Sequence, residues 1–127
     1  MKLAAFVIVA ALLTRCSSAN PETRPDQPLR LHFGETAAVA GSSTGVTFAD
    51  VSDSRCPATV SCIWAGDAAV RLDEQNGESV TLHTNSSAGP QSARLGGLVI
   101  TLERVEPEPA EKALSKNDYV VTLRTSR

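Results

Sequence analysis

The sequence predicts an all-β domain, an antiparallel β-sandwich or barrel of about seven to eight short strands with one wet face. Two observations carry that prediction. Apolar residues recur with period two in short runs along residues 29–127, and nothing in that region shows the 3.6-residue period of an amphipathic helix. The runs are separated by clusters of Gly, Asn, Asp and Pro, the residues that turn a chain.

The strands follow in order. Leu29, Leu31 and Phe33 alternate with Arg30 and His32, and a further strand is expected around Ala37–Ala40. Val46 and Phe48 flank Thr47, Val70 and Leu72 flank Arg71, and Val80 and Leu82 flank Thr81. Leu98, Ile100 and Leu102 alternate with Val99 and Thr101, and Tyr119, Val121 and Leu123 with Val120, Thr122 and Arg124. Glu111–Lys116 alone has room for a helical turn, but it follows two prolines and is expected to be a covered loop. Asn76-Gly77 suggests a two-residue hairpin turn, yet that turn places inward Leu72 opposite outward Thr81, which the pleat forbids. A three-residue loop, Gln75-Asn76-Gly77, pairs Leu72 with Val80 and Val70 with Leu82, with Gly77 left-handed. An internal echo links Val46-Thr47-Phe48-Ala49-Asp50-Val51 to Ile100-Thr101-Leu102-Glu103-Arg104-Val105. In both, the last Val breaks the period, as a bulge that turns it inward requires.

Residues 1–15 are expected to be a signal peptide: Lys2 precedes an apolar run, Leu3 to Leu13, too short to span a bilayer. Leu12-Leu13-Thr14-Arg15-Cys16 resembles a bacterial lipobox, which makes Cys16 the expected lipidation site. Arg15 stands where such motifs usually carry a small residue, and Ser17-Ser18-Ala19 offers ordinary cleavage after Ala19 instead. The chain has three cysteines, so pairing Cys56 with Cys62 leaves one over, and a lipid on Cys16 accounts for it. Residues 16–28, with prolines at 21, 25 and 28 and no apolar period, are expected to be a disordered tether to a single β-sandwich domain, 29–127.

Without residues 1–15, ten basic residues face fourteen acidic ones, a net charge of −4. No basic stripe and few aromatic side chains argue against a nucleic-acid partner. The chemistry concentrates in one loop, Asp53-Ser54-Arg55-Cys56-Pro57-Ala58-Thr59-Val60-Ser61-Cys62-Ile63-Trp64-Ala65-Gly66, which holds the only tryptophan. In an exported chain, Cys56 and Cys62 are most simply a disulfide. Trp64 has two readings: its ring packs over the bridge and plugs one end of the sandwich, or it stands out as an anchor in a partner interface. Asp53 and Arg55 either pair or hold loop amides, and with Trp64 they are the candidate partner contacts.

The two ends of this loop, Asp53-Ser54-Arg55-Cys56-Pro57 and Cys62-Ile63-Trp64-Ala65-Gly66, resemble the signature of a family of small exported bacterial proteins, many bearing a lipobox. Gly34-Glu35-Thr36 and Asp118-Tyr119 extend the resemblance over most of residues 30–125. It implies export, an all-β domain and the Cys56–Cys62 disulfide, and it supplies no catalytic residue.

Metal and catalytic constellations are weak. A zinc site on the two cysteines needs His32 and His83, and both fall on the polar phase of their strands, where a solvated outer-face histidine is expected. The spacing of Asp50, Asp53 and Asp67 matches no calcium loop, and a blue-copper site lacks its methionine, since the only Met, Met1, leaves with the signal. Glu106 and Glu108 bracket Pro107 in an acidic loop. The expected function is therefore non-enzymatic and cofactor-free: a binding or structural module of the cell envelope, as an outer-membrane lipoprotein or periplasmic protein, alternatively secreted. Its expected partners are the membrane, through lipid on Cys16, and an envelope protein or cell-wall component. Two alternatives stand beside it: a protease inhibitor presenting residues 52–61, and a small hydrolase, which needs a deep pocket holding His83 beside a serine.

Overall fold

The computed structural model describes residues 27–39 and 45–126. The expected signal peptide, Cys16 and all of the tether except Gln27 and Pro28 lie outside the described residues, as does Ala40 at the end of the second expected strand. Eight strands form: β1 (Leu29–His32), β2 (Thr36–Ala38), β3 (Gly45–Asp53), β4 (Ala68–Glu74), β5 (Ser79–His83), β6 (Ser92–Leu95), β7 (Leu98–Glu106) and β8 (Val120–Ser126). They build two antiparallel four-stranded sheets, ordered β1-β8-β7-β6 and β2-β3-β4-β5, the predicted sandwich. Strand β6 is the one the apolar pattern omits. Ser-Ala-Arg-Leu offers a single large inward side chain, Leu95, too little to register as alternation.

The inward phase of each strand makes one core. Leu29, Leu31, Val46, Phe48, Val70, Leu72, Leu82, Ile100, Leu102, Val121 and Leu123 are all buried in it, and burial of such side chains is the main force holding the two sheets together. Phe33 joins from the corner, edge-on to Phe48 at 5.4 Å between ring centroids. Two corners stitch the sheets. The Phe33 N–H donates to Tyr119 O of one sheet, and the next residue, Gly34, donates its N–H to Phe48 O of the other. On the opposite side His83 N–H donates to Pro90 O.

The β4–β5 hairpin has the expected register, Leu72 opposite Val80 and Val70 opposite Leu82. Gly77 takes φ 93° and returns its N–H to Glu74 O, closing the three-residue loop. The echo also holds. Registers shift between Phe48 and Asp50 in β3 and between Leu102 and Arg104 in β7, so Val51 and Val105 both turn into the core. The likeness reaches further than the sequence showed. Thr36 lies opposite Thr47 with hydroxyls 2.6 Å apart, and Ser92 lies opposite Thr101 with hydroxyls 2.7 Å apart. Phe48 N–H donates to Glu35 O as Leu102 N–H donates to Gln91 O. Thus β6, β7 and β8 repeat β2, β3 and β4, with β5 and β1 filling the fourth place of each sheet.

The register fixes where the cysteine loop sits. His32 pairs with Val120 and Glu106 pairs with Val120, so the ends of β1 and β7 and the start of β8 share one end of the sandwich. Asp53, the last residue of β3, is joined to that end by the Tyr119 hydroxyl. The chain enters β1 at Leu29, opposite Leu123 in the middle of β8.

Candidate functional site

Strands β3 and β4 do not stop at the edge of the sandwich; they continue as a projecting hairpin. Ser54 N–H donates to Asp67 O at 2.7 Å and Cys56 N–H to Ala65 O at 3.0 Å, extending the ladder beyond Asp53–Ala68. The Ser54 hydroxyl also donates to Asp67 O and accepts from Asp67 N–H. Cys56 and Cys62 form the disulfide, which closes the tip, and Val60 N–H turns back onto Pro57 O within it.

The base of the hairpin is clamped by a buried polar network. The Arg55 fork donates Nε to Asp53 Oδ1 and Nη2 to Asp53 Oδ2, both at 2.9 Å, with the two side chains only 13% and 12% exposed. Its outer hydrogens reach Val105 O at 3.0 Å and Pro107 O at 2.8 Å, which ties the hairpin to the end of β7. Tyr119 Oη donates to Asp53 Oδ2 at 2.8 Å. Burial raises the carboxyl pKa of Asp53, but the hydrogen bonds from Arg55 and Tyr119 outweigh it and hold the group below the ordinary carboxylate value. Asp53 and Arg55 therefore spend their polar atoms inside the domain, leaving little of either to meet a partner.

Tyr119 feels the same network from the other side. Burial first, then the hydrogen bond to Asp53 and its negative charge, push its phenol up to about 12. A folded pKa raised above the unfolded one gives stability that is complete below the unfolded pKa and lost as pH rises. We expect ~2–3 kcal/mol to disappear between the free-phenol value of 10.0 and about 12. Tyr119 is the only tyrosine, so spectrophotometric titration of tyrosinate reads it alone. Ionisation near the free-phenol value in the folded protein would contradict the network. On the acid side Asp53 is lowered, so its contribution is present above the ordinary carboxyl value of 3.8 and fades as pH falls through the depressed folded value.

The tip differs from the base. Residues 58–65 are all exposed, and within them Val60 is 42%, Ile63 109% and Trp64 52% exposed. Trp64 does not plug the sandwich, because the hairpin carries it past the end of both sheets. That end is closed instead by Tyr119 and Leu114, which pack against the core. A segment running from Pro107 to Ser115 lies alongside, and Thr59 Oγ1 donates to Glu111 Oε1 at 3.1 Å, tying tip to segment. Between the hairpin and the 84–91 loop lies an open cleft of about 480 Å³, lined among others by Arg55, Cys56, Ala65, Asn85, Gln91 and Glu108.

His83 corrects the solvated outer-face expectation: it is partly buried, and its Nδ1 sits 2.6 Å from Asp67 Oδ2. Burial raises the Asp67 pKa, and the bonds from His83, Asn85 N–H and Thr84 outweigh that and lower it. Asp67 thereby pins the 83–85 turn. The far side of the imidazole is covered, since a Cβ at Gly89 would lie 2.5 Å from Nε2. No serine hydroxyl is hydrogen-bonded to His83 among the described residues. His32 is exposed as expected. The three aspartates considered for calcium go to separate partners: Asp50 to Lys116, Asp53 to Arg55 and Asp67 to His83. Among the described residues no cluster of three or more His, Cys, Asp or Glu could hold a metal ion.

Comparison of the chain with protein families, with curated proteins and with solved structures finds no match.

Proposed function

We propose that this protein is an exported, lipid-anchored module of the cell envelope that binds through the tip of its 54–67 hairpin and performs no catalysis. One observation carries the reading: the largest exposed apolar side chains among the described residues, Val60, Ile63 and Trp64, share a single tip. Exposed apolar groups gathered at one place mark interaction sites, whereas scattered ones need no explanation. The disulfide and the Asp53–Arg55–Tyr119 clamp hold that tip in one shape, which lowers the ordering cost of binding. The signal peptide, the lipid on Cys16 and the tether belong to this proposal, and the disulfide is compatible with the oxidising compartment they imply.

A photoreactive amino acid in place of Trp64 tests it in the native envelope. The expected result is an adduct, to protein or lipid, that is absent when the same group is placed at exposed Glu78 on the β4–β5 turn. Trp64→Ala is expected to weaken recovery of the bound component while leaving Tm within about 2 °C, as for an exposed side chain. If Trp64→Ala unfolds the domain, or the tip gives no adduct, the hairpin is scaffold only.

A further inference from the structure

We propose that the occupant of the tip is a lipid bilayer: Val60, Ile63 and Trp64 enter the boundary between headgroups and acyl chains while the body of the sandwich stays in water. The inference rests on the tip being a binding surface and names what it binds.

The three side chains leave on the order of 400 Å² of apolar surface in water at a single projecting tip. A bilayer needs no complementary surface, and it takes a small apolar projection as readily as a large one. Charge argues the same way. Residues 56–66 contain no Asp, Glu, Lys or Arg, in a chain that is 20% charged. The first charges on either side, Arg55 and Asp67, are turned inward onto Asp53 and His83. A group that enters a bilayer must leave its charges behind; residues 56–66 themselves have none to lose, and the charge that touches them is the Glu111 carboxylate on Thr59. Trp64 adds an indole, whose apolar ring and polar N–H suit the headgroup level.

The hairpin is also held outward. The ladder bonds Ser54–Asp67 and Cys56–Ala65, with the disulfide, keep Ile63 from folding back onto the core. Reach is not limiting: the expected tether of residues 16–28 extends to about 45 Å, longer than the ~30 Å of nine-residue β3, so a domain anchored at Cys16 can turn its tip to the same membrane. Glu108 and Glu111 beside the tip offer anionic lipid no attraction. The binding is therefore apolar, and strongest on zwitterionic lipid.

The chain from residue 16 onward carrying Cys16→Ser, which lacks both the apolar signal segment and any acyl chain, is mixed with phosphatidylcholine vesicles and with vesicles containing phosphatidylglycerol. Trp64 is the only tryptophan, so its emission reports the tip and nothing else. The expected result is a blue shift, quenching by nitroxide-labelled acyl chains, and sedimentation with phosphatidylcholine that does not weaken between low and high salt. Ile63→Ser is expected to lower vesicle affinity about tenfold, and Val60→Ser with Ile63→Ser about a hundredfold, with Trp64 retained as the reporter. No emission change, or sedimentation indifferent to these substitutions, overturns the bilayer. So does binding that requires anionic lipid and is abolished by salt. Failure on vesicles together with a protein adduct at position 64 removes this inference and leaves the binding reading intact; failure on vesicles with no adduct removes both.

Discussion

Arg55→Ala is expected to lower the free energy of unfolding by about 3–5 kcal/mol, the cost of stripping one partner from a buried ion pair. For a domain of about one hundred residues that corresponds to a Tm lower by on the order of 15 °C. The reason lies in what the guanidinium leaves behind. The Asp53 carboxylate, 12% exposed, would keep Tyr119 Oη and its own local amide contact but lose both arms of the fork. The carbonyls of Val105 and Pro107 would lose their Arg55 donors at the same time. Arg55→Lys is expected to recover only part of the loss, because an ammonium cannot bridge two carboxylate oxygens and two carbonyls from one plane. Thermal unfolding of the three proteins at neutral pH checks this. A Tm for Arg55→Ala within a few degrees of the parent would show that the clamp contributes little, and Arg55 would return as a candidate surface contact.

The contrast between that base and its tip explains what the sequence could and could not reveal. Alternation needs only neighbours two apart, so strands with two or more large inward residues, such as Leu29 and Leu31 or Ile100 and Leu102, were legible, and β6 with Leu95 alone was not. The two bulges were legible because Val51 and Val105 visibly break the period-two phase. Cys56 and Cys62 could be paired because they are close in sequence and compartment decides their chemistry. The direction of Trp64 was not legible. It depends on whether the chain beyond Asp53 folds over the sandwich or stands away from it, and that is decided by Arg55 reaching carbonyls 50 and 52 residues away and Tyr119 reaching Asp53 across 66. The His83–Asp67 bond was hidden for a related reason. An outward phase on β5 places His83 beside the end of β4, where Asp67 waits, and phase alone cannot distinguish water from a carboxylate. Ile63 carries no signal in the sequence, because a single exposed isoleucine is ordinary; its meaning comes from standing beside Trp64 and Val60 on one tip.

Gly66→Ala tests the other half of the hairpin's construction, and we expect it to cost about 4 kcal/mol or to prevent the 54–67 hairpin from closing. Two separate terms add. Gly66 has φ 73°, the left-handed region, where a Cβ costs about 1–2 kcal/mol. The second term is larger. A Cβ at this position would lie 1.9 Å from Ser54 O, 2.7 Å from Ser54 C and 2.8 Å from Arg55 Cα, all backbone atoms of the facing strand. No rotamer change relieves an overlap with backbone, so the strands must separate. Separation breaks Ser54 N–H to Asp67 O and Cys56 N–H to Ala65 O, at about 1 kcal/mol each. It also displaces Arg55 from the carbonyls it holds. The prediction differs at Gly77, which has φ 93° but nothing within 4 Å of a built Cβ: Gly77→Ala should lose only the backbone term, about 1–2 kcal/mol. Denaturant unfolding of the two variants gives the comparison, and Trp64 emission shows whether the tip has moved. Equal losses at the two glycines would mean that the close approach at the hairpin base is not what holds it, and that the tip owes its position to the disulfide and the Arg55 clamp alone.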